Sequence, residues 1–179
     1  MGRIRIVLTG LTVLVAMAAA QAEAASFEAW TATRWSWMEG VDHITAEKIS
    51  RAYLVTVEIA GVPLGTGDVY VALTCTGGKP VMDFDWSIKV AGKAHLTVEY
   101  RFAGQPGRSI KARYVNRTHQ QSTDVEGIRQ FLADARHSDR MRLRVTSDLA
   151  GVVEASFKSK AGADIYRRFT TVCPVAASR

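Results

Sequence analysis

The sequence predicts an α+β fold, a mainly antiparallel, sandwich-like β domain of six to seven strands with two helices. Three observations carry this. Apolar and polar residues alternate with period two through most of residues 50–115 and again over 139–157, as one buried and one wet sheet face require. Short Gly-rich breaks separate these runs, which favours antiparallel neighbours because parallel ones need long crossovers. Helical spacing occurs in two places only, after Thr123 and after Gly162.

The chain opens with the pattern of an export signal. Arg3 and Arg5 precede a nearly uncharged apolar run of about 15 residues, and Ala22-Glu23-Ala24 supplies the small-x-small pattern of a cleavage site. That run falls short of the roughly 20 residues needed to span a bilayer core. The expectation is therefore a signal peptide over 1–24, cut after Ala24 or alternatively after Ala22, and one mature domain over 25–179. No second run is long enough to anchor the mature chain, and Asn116-Arg117-Thr118 matches the glycosylation pattern only as a common three-residue string. The expected location is the periplasm or the exterior of a bacterium.

Each element then follows. Residues 26–40 hold Trp30, Trp35 and Trp37, read as a strand and loop capping the core, with an exposed aromatic platform as the functional alternative. Tyr53, Val55, Val57 and Ile59 share one parity and are expected to face in. Val69, Val71, Leu73 and Cys75 form an inward row ended by Gly77-Gly78. Met82, Phe84, Trp86 and Ile88 alternate against Val81, Asp83, Asp85 and Ser87. Leu96, Val98, Tyr100 and Phe102 face in; His95, Thr97, Glu99 and Arg101 face out. After the break at 104–107 a strand covers 108–115. Thr123 or Asp124 caps a helix with the stripe Val125, Ile128, Phe131 or Leu132, and Ala135. Met141, Leu143 and Val145 then alternate with Arg140, Arg142 and Arg144, and Val153, Ala155 and Phe157 form the last inward row. A helix over about 162–172 presents Ile165, Phe169 and Val172 and stops before Pro174.

Lys+Arg number 23 against Asp+Glu 17; without the two arginines and one glutamate of the leader the balance is 21 against 16, or +5. That excess favours anionic partners, an envelope protein or an anionic cell-wall component, and no nucleic-acid motif accompanies it. The chain has two cysteines, Cys75 and Cys173, 98 positions apart. In an oxidising compartment such a pair reads as a disulfide tying the terminal helix to a mid-chain strand.

Candidate chemistry is sparse. Asp83 and Asp85 share a strand face about 7 Å apart, within the spacing of a glycosidase acid–base pair, although any wet strand face produces the same alternation. The histidines, His43, His95, His119 and His137, lack metal-ligand spacing, so no cofactor or metal is expected, and no serine or cysteine nucleophile signature is present. The basic rows, Lys111 and Arg113 on one strand and Arg140, Arg142 and Arg144 on another, are candidate anionic docking residues. Like charges along one strand face repel unless acids or an anionic ligand lie opposite.

Several strings together resemble a family of small exported bacterial proteins, the VasI-like accessory proteins associated with type VI secretion and their relatives. They are Leu73-Thr74-Cys75 before a turn, Met82 to Trp86, Val98-Glu99-Tyr100-Arg101-Phe102, the break at 104–107, Ile128 to Leu132, the strand over 139–145, Ala155-Ser156-Phe157 and the closing Cys173. The likeness spans about residues 69–174. It implies a periplasmic, non-enzymatic protein with a Cys75–Cys173 bridge and carries no catalytic residues. The expected function is a binding or accessory role at the cell envelope; the alternative is an envelope glycan hydrolase using Asp83 and Asp85.

Overall fold

Gly77 and Gly78 show how this chain turns. Both have positive φ, +57° and +76°, and they form the two-residue link between paired Thr76 and Lys79. Left-handed conformation at both central residues matches the twist of the flanking strands and is nearly strain-free only for glycine. The computed structural model describes residues 35–41, 44–56, 58–60, 68–90 and 95–174. The predicted leader over 1–24 and Trp30 lie outside the described residues.

In chain order the elements are β1 (Ser36–Val41), β2 (Lys48–Thr56), β3 (Glu58–Ala60), β4 (Val69–Thr76), β5 (Lys79–Asp85), β6 (His95–Phe102), β7 (Arg108–Tyr114), β8 (His119–Ser122), α1 (Val125–Ala135), β9 (Arg140–Ser147), β10 (Gly151–Lys158) and α2 (Gly162–Val172). Among the described residues all strand pairs are antiparallel, in the order β1-β2-β4-β5-β8-β7-β6-β9-β10-β3. The fold is thus α+β, one large antiparallel sheet with two helices. The ten strand segments among the described residues exceed the six to seven expected. The additions are short: β3 follows β2 after one residue, and β8 has polar residues at its inward positions. Gln120 and Ser122 are buried there, and Gln120 Oε1 accepts the Trp86 indole N–H at 2.8 Å.

The inward rows predicted for β4, β9 and β10 are buried, as are Met82, Phe84 and Trp86 and, in β6, Val98, Tyr100 and Phe102. The parity in β2 differs from the expectation. Ala52 and Leu54 are buried whereas Tyr53 and Val55 are only partly so. Register explains this: Ala52 lies opposite Leu73 and Leu54 opposite Val71, and directly opposed residues share a face. With Tyr53, Leu54 and Val55 all apolar, local periodicity could not choose.

Asp124 caps α1 by accepting the Gly127 N–H at 3.1 Å, satisfying a donor that the first helical turn leaves open. Ile128, Phe131, Leu132 and Ala135 are buried as predicted, but Val125, in the first turn, is 41% exposed. Phe131 meets Tyr100, Phe102 and Trp35 edge-on, with centroids 5.0, 5.2 and 6.3 Å away; such pairs add to the energy of burial. In α2, Ile165 and Phe169 are buried. Cys173, just beyond it, is bridged to Cys75 of β4 with Cα atoms 5.8 Å apart. A disulfide-bonded domain is consistent with an oxidising compartment outside the cytoplasm. Among the described residues no helix is long and apolar enough to cross a membrane.

Candidate functional site

The outer face of the sheet carries two regions with chemistry. The first lies over β7, β6 and β9. Antiparallel register sets two neighbouring rows there: Ser109–Glu99–Arg144–Glu154, and Arg101–Arg142–Ser156. Lys111 and Arg113 share the outward parity of Ser109, and Arg140 that of Arg142. All five basic residues singled out in the sequence therefore sit on one face. Arg144 is held by acids: its Nε donates to Glu99 Oε2 at 2.6 Å, and Glu154 lies 4.0 Å from another guanidinium nitrogen. Arg140 lies 3.8 Å from Asp139, while Arg113 donates to the Gln121 side-chain amide oxygen at 3.1 Å and, among the described residues, has no carboxylate partner. Arg101, opposite Arg142, is exposed and has no ion-pair partner among the described residues. Glu99, Arg101, Arg142, Arg144 and Glu154 line an open groove of about 580 Å³.

The second region lies over β2, β4, β5 and β8. One outward row reads Tyr53–Ala72–Asp83–Gln121, and the next places Tyr70 opposite Asp85 and Asp85 opposite His119. Ala72 is the only small side chain in the first row, which leaves a depression between Tyr53 and Asp83. The result is a cavity of about 400 Å³ lined by Met38, Arg51, Tyr53, Tyr70, Ala72, Asp83, Asp85 and His119. Asp83 is the organising group. Its Oδ1 lies 3.0 Å from His119 Nε2 and accepts from Gln121 Nε2 at 3.1 Å, and its Oδ2 is 3.8 Å from the Arg51 guanidinium. Asp85 Oδ1 accepts the Ser87 backbone N–H at 3.0 Å, an Asx turn that stops the strand.

Asp83 and Asp85 do share one open cavity, as an acid–base pair would need, but both are engaged by neighbours. The residues around them were not evident from sequence. His119 and Gln121 reach Asp83 only through β8, and Arg51 only through β2. The one local hint was Tyr70, which stands on the outward parity of β4. Among the described residues no group of three or more His, Cys, Asp or Glu side chains could hold a metal ion.

Of the tryptophans, Trp35 is 4% exposed and packs on Phe131, so an exposed platform does not include it. Trp37 is partly buried, and its indole N–H donates to Glu39 at 3.2 Å. Asn116, in the glycosylation-like string, accepts from the backbone of Thr118 and His119 at 2.8 and 2.9 Å and so builds the β7–β8 turn.

In comparisons with protein-family models, curated proteins and solved structures, nothing matches this chain.

Proposed function

We propose that this chain is an exported, non-enzymatic binding or accessory protein of the bacterial cell envelope that docks an anionic partner on the basic outer face of β7, β6 and β9. The observation that carries the reading is Arg101. Its guanidinium stands in an open groove, opposite another arginine and beside Arg144, whose own charge is met by Glu99 and Glu154. Lys111 and Arg113 extend the positive excess across β7, and a field of one sign favours encounter with the opposite one. The leader over 1–24 supports export to the periplasm or beyond. The resemblance to VasI-like proteins supports an accessory role. In the same reading the sheet folds over its aromatic core as a sandwich, supported by β2 and β3 lying near opposite ends of the strand order although one residue separates them.

The mature chain is expected to co-sediment with purified cell-wall sacculi carrying anionic polymers and to be released by salt, because exposed charges are screened. Arg101→Glu with Lys111→Glu should abolish the interaction. Undiminished sedimentation of that double variant would overturn the reading.

A second reading, an envelope glycan hydrolase working through Asp83 and Asp85, is favoured by one observation, their shared cavity. It requires that the wild type cleave peptidoglycan or another envelope glycan and that Asp83→Asn or Asp85→Asn stop it.

A further inference from the structure

The cavity between β2, β4, β5 and β8 has a lining that limits what can enter it. Its polar side holds two carboxylates, Asp83 and Asp85, but also the Arg51 guanidinium and the His119 imidazole. Its other side is Tyr53, Tyr70 and Met38, over a floor at Ala72. Tyr70 is 41% exposed and Met38 52%, so both present apolar surface to the cavity mouth. At about 400 Å³ the space falls within the range of small-molecule sites, roughly 300–1,000 Å³.

Each simple ligand class meets an obstacle. An anion would be placed against two carboxylates. A cation would be placed against Arg51, which already lies 3.8 Å from Asp83. A purely apolar ligand would strip water from four polar groups without replacing their hydrogen bonds, at a cost for each. A neutral ligand with hydroxyl groups on its edge and C–H groups on its face avoids all three. Its hydroxyls donate to Asp83 and Asp85 while accepting from Arg51, since a hydroxyl does both. Its apolar face covers the Met38 side chain and the tyrosine rings, which bury large area while keeping a polar tip. The partners are already oriented: His119 and Gln121 hold Asp83, and the Ser87 N–H holds Asp85, so little ordering remains to be done on binding.

We infer that this cavity is a saccharide-binding site, which takes one pyranose unit over Ala72 between Tyr53, Tyr70 and the Asp83–Asp85 edge. The inference is independent of the basic groove and does not require that the sugar be cleaved.

The test is saturation-transfer NMR of the mature protein with three probes, the N-acetylglucosamine trimer, cellotriose and maltotriose. At least one is expected to bind. Asp85→Asn and Arg51→Gln should each weaken it about threefold or more, the loss of one hydrogen bond, and added salt should leave it unchanged. Ala72→Leu, which fills the floor from the wet face, should abolish binding while the unfolding midpoint shows the variant folded. Failure of all three trisaccharides to bind would overturn the inference. So would an affinity that rises in Arg51→Gln and falls with salt, the signature of a cationic ligand. A trisaccharide bound and released intact supports the site without cleavage; one that is bound and cleaved supports both the site and the hydrolase reading.

Discussion

Arg108 of β7 reaches across to α1 and donates its Nε–H to Asp134 at 2.9 Å. Asp134 is 6% exposed and also accepts from Gln130 at 2.9 Å and from the Tyr100 hydroxyl at 3.4 Å, while its backbone carbonyl accepts from Gln105 at 2.9 Å. One carboxylate thus ties helix and sheet together, and the backbone carbonyl of the same residue ties in the β6–β7 turn. Asp134→Ala strands a guanidinium and leaves buried donors unpaired, a class of change that costs about 3–5 kcal/mol when a buried pair is broken. Because Arg108 is partly solvated, about 2–3 kcal/mol is expected. Urea unfolding of the variant measures it.

The same site makes stability depend on alkaline pH. Burial first, and then the Asp134 charge, hold the Tyr100 hydroxyl far above the ordinary phenol range; burial also raises Tyr114. The folded state therefore keeps these protons after the unfolded chain has released its own. Their contribution is whole below the unfolded value, about 10, and is lost as pH rises above it. The urea midpoint should hold to about pH 9 and then fall, and Tyr100→Phe should blunt the fall. A midpoint rising with pH in that window would contradict the assignment.

The Cys75–Cys173 bridge closes a loop with a sequence separation of 98, worth on the order of 4–5 kcal/mol in the chain-entropy model. Cys75→Ser with Cys173→Ser should lower thermal stability by several degrees or more. Thiol titration of the denatured wild type should find no free cysteine.

Gly162 opens α2 where it crosses the end of α1. A Cβ built there would lie 2.0 Å from the Ala135 carbonyl oxygen, and that atom belongs to a helix backbone with little room to yield. Gly162→Ala should force the helices apart at a cost of about 1–3 kcal/mol, as overpacking does, despite alanine's better helix propensity. Equilibrium unfolding against Ala163→Gly, on the exposed side of the same turn, separates the two effects.

On the basic face the expected pattern is the reverse. Arg144 meets Glu99 and Glu154, but all three side chains are nearly half exposed. Arg144→Ala is therefore expected to cost only about 0–1 kcal/mol. Arg101→Glu should leave the unfolding midpoint almost unmoved while weakening any anionic partner. A large stability loss in Arg101→Glu would mean that the residue serves the fold.

Much of the fold was legible in the sequence because inward rows such as Met82–Trp86 and Met141–Val145 are apolar on one parity only, with Asp83, Asp85, Arg142 and Arg144 between them. Where both parities were apolar, as around Leu54, the face was set by the partner strand. Where the inward positions were polar, as at Gln120 and Ser122, strand β8 left no pattern to read. At the candidate sites, Asp83, Asp85 and the arginine rows were visible as residues, but Arg51, His119 and Arg101 acquired meaning only through cross-strand neighbours.

Side-chain period, turn glycines and the paired cysteines are local or one-dimensional properties, so the α+β class, both helices and the Cys75–Cys173 pairing followed from the chain alone. Strand order and register are not local. They bring Arg51, Asp83 and His119 together from three strands, and set Arg101 opposite Arg142. Those choices depend on which faces can be buried together, and only the packed sheet decides them.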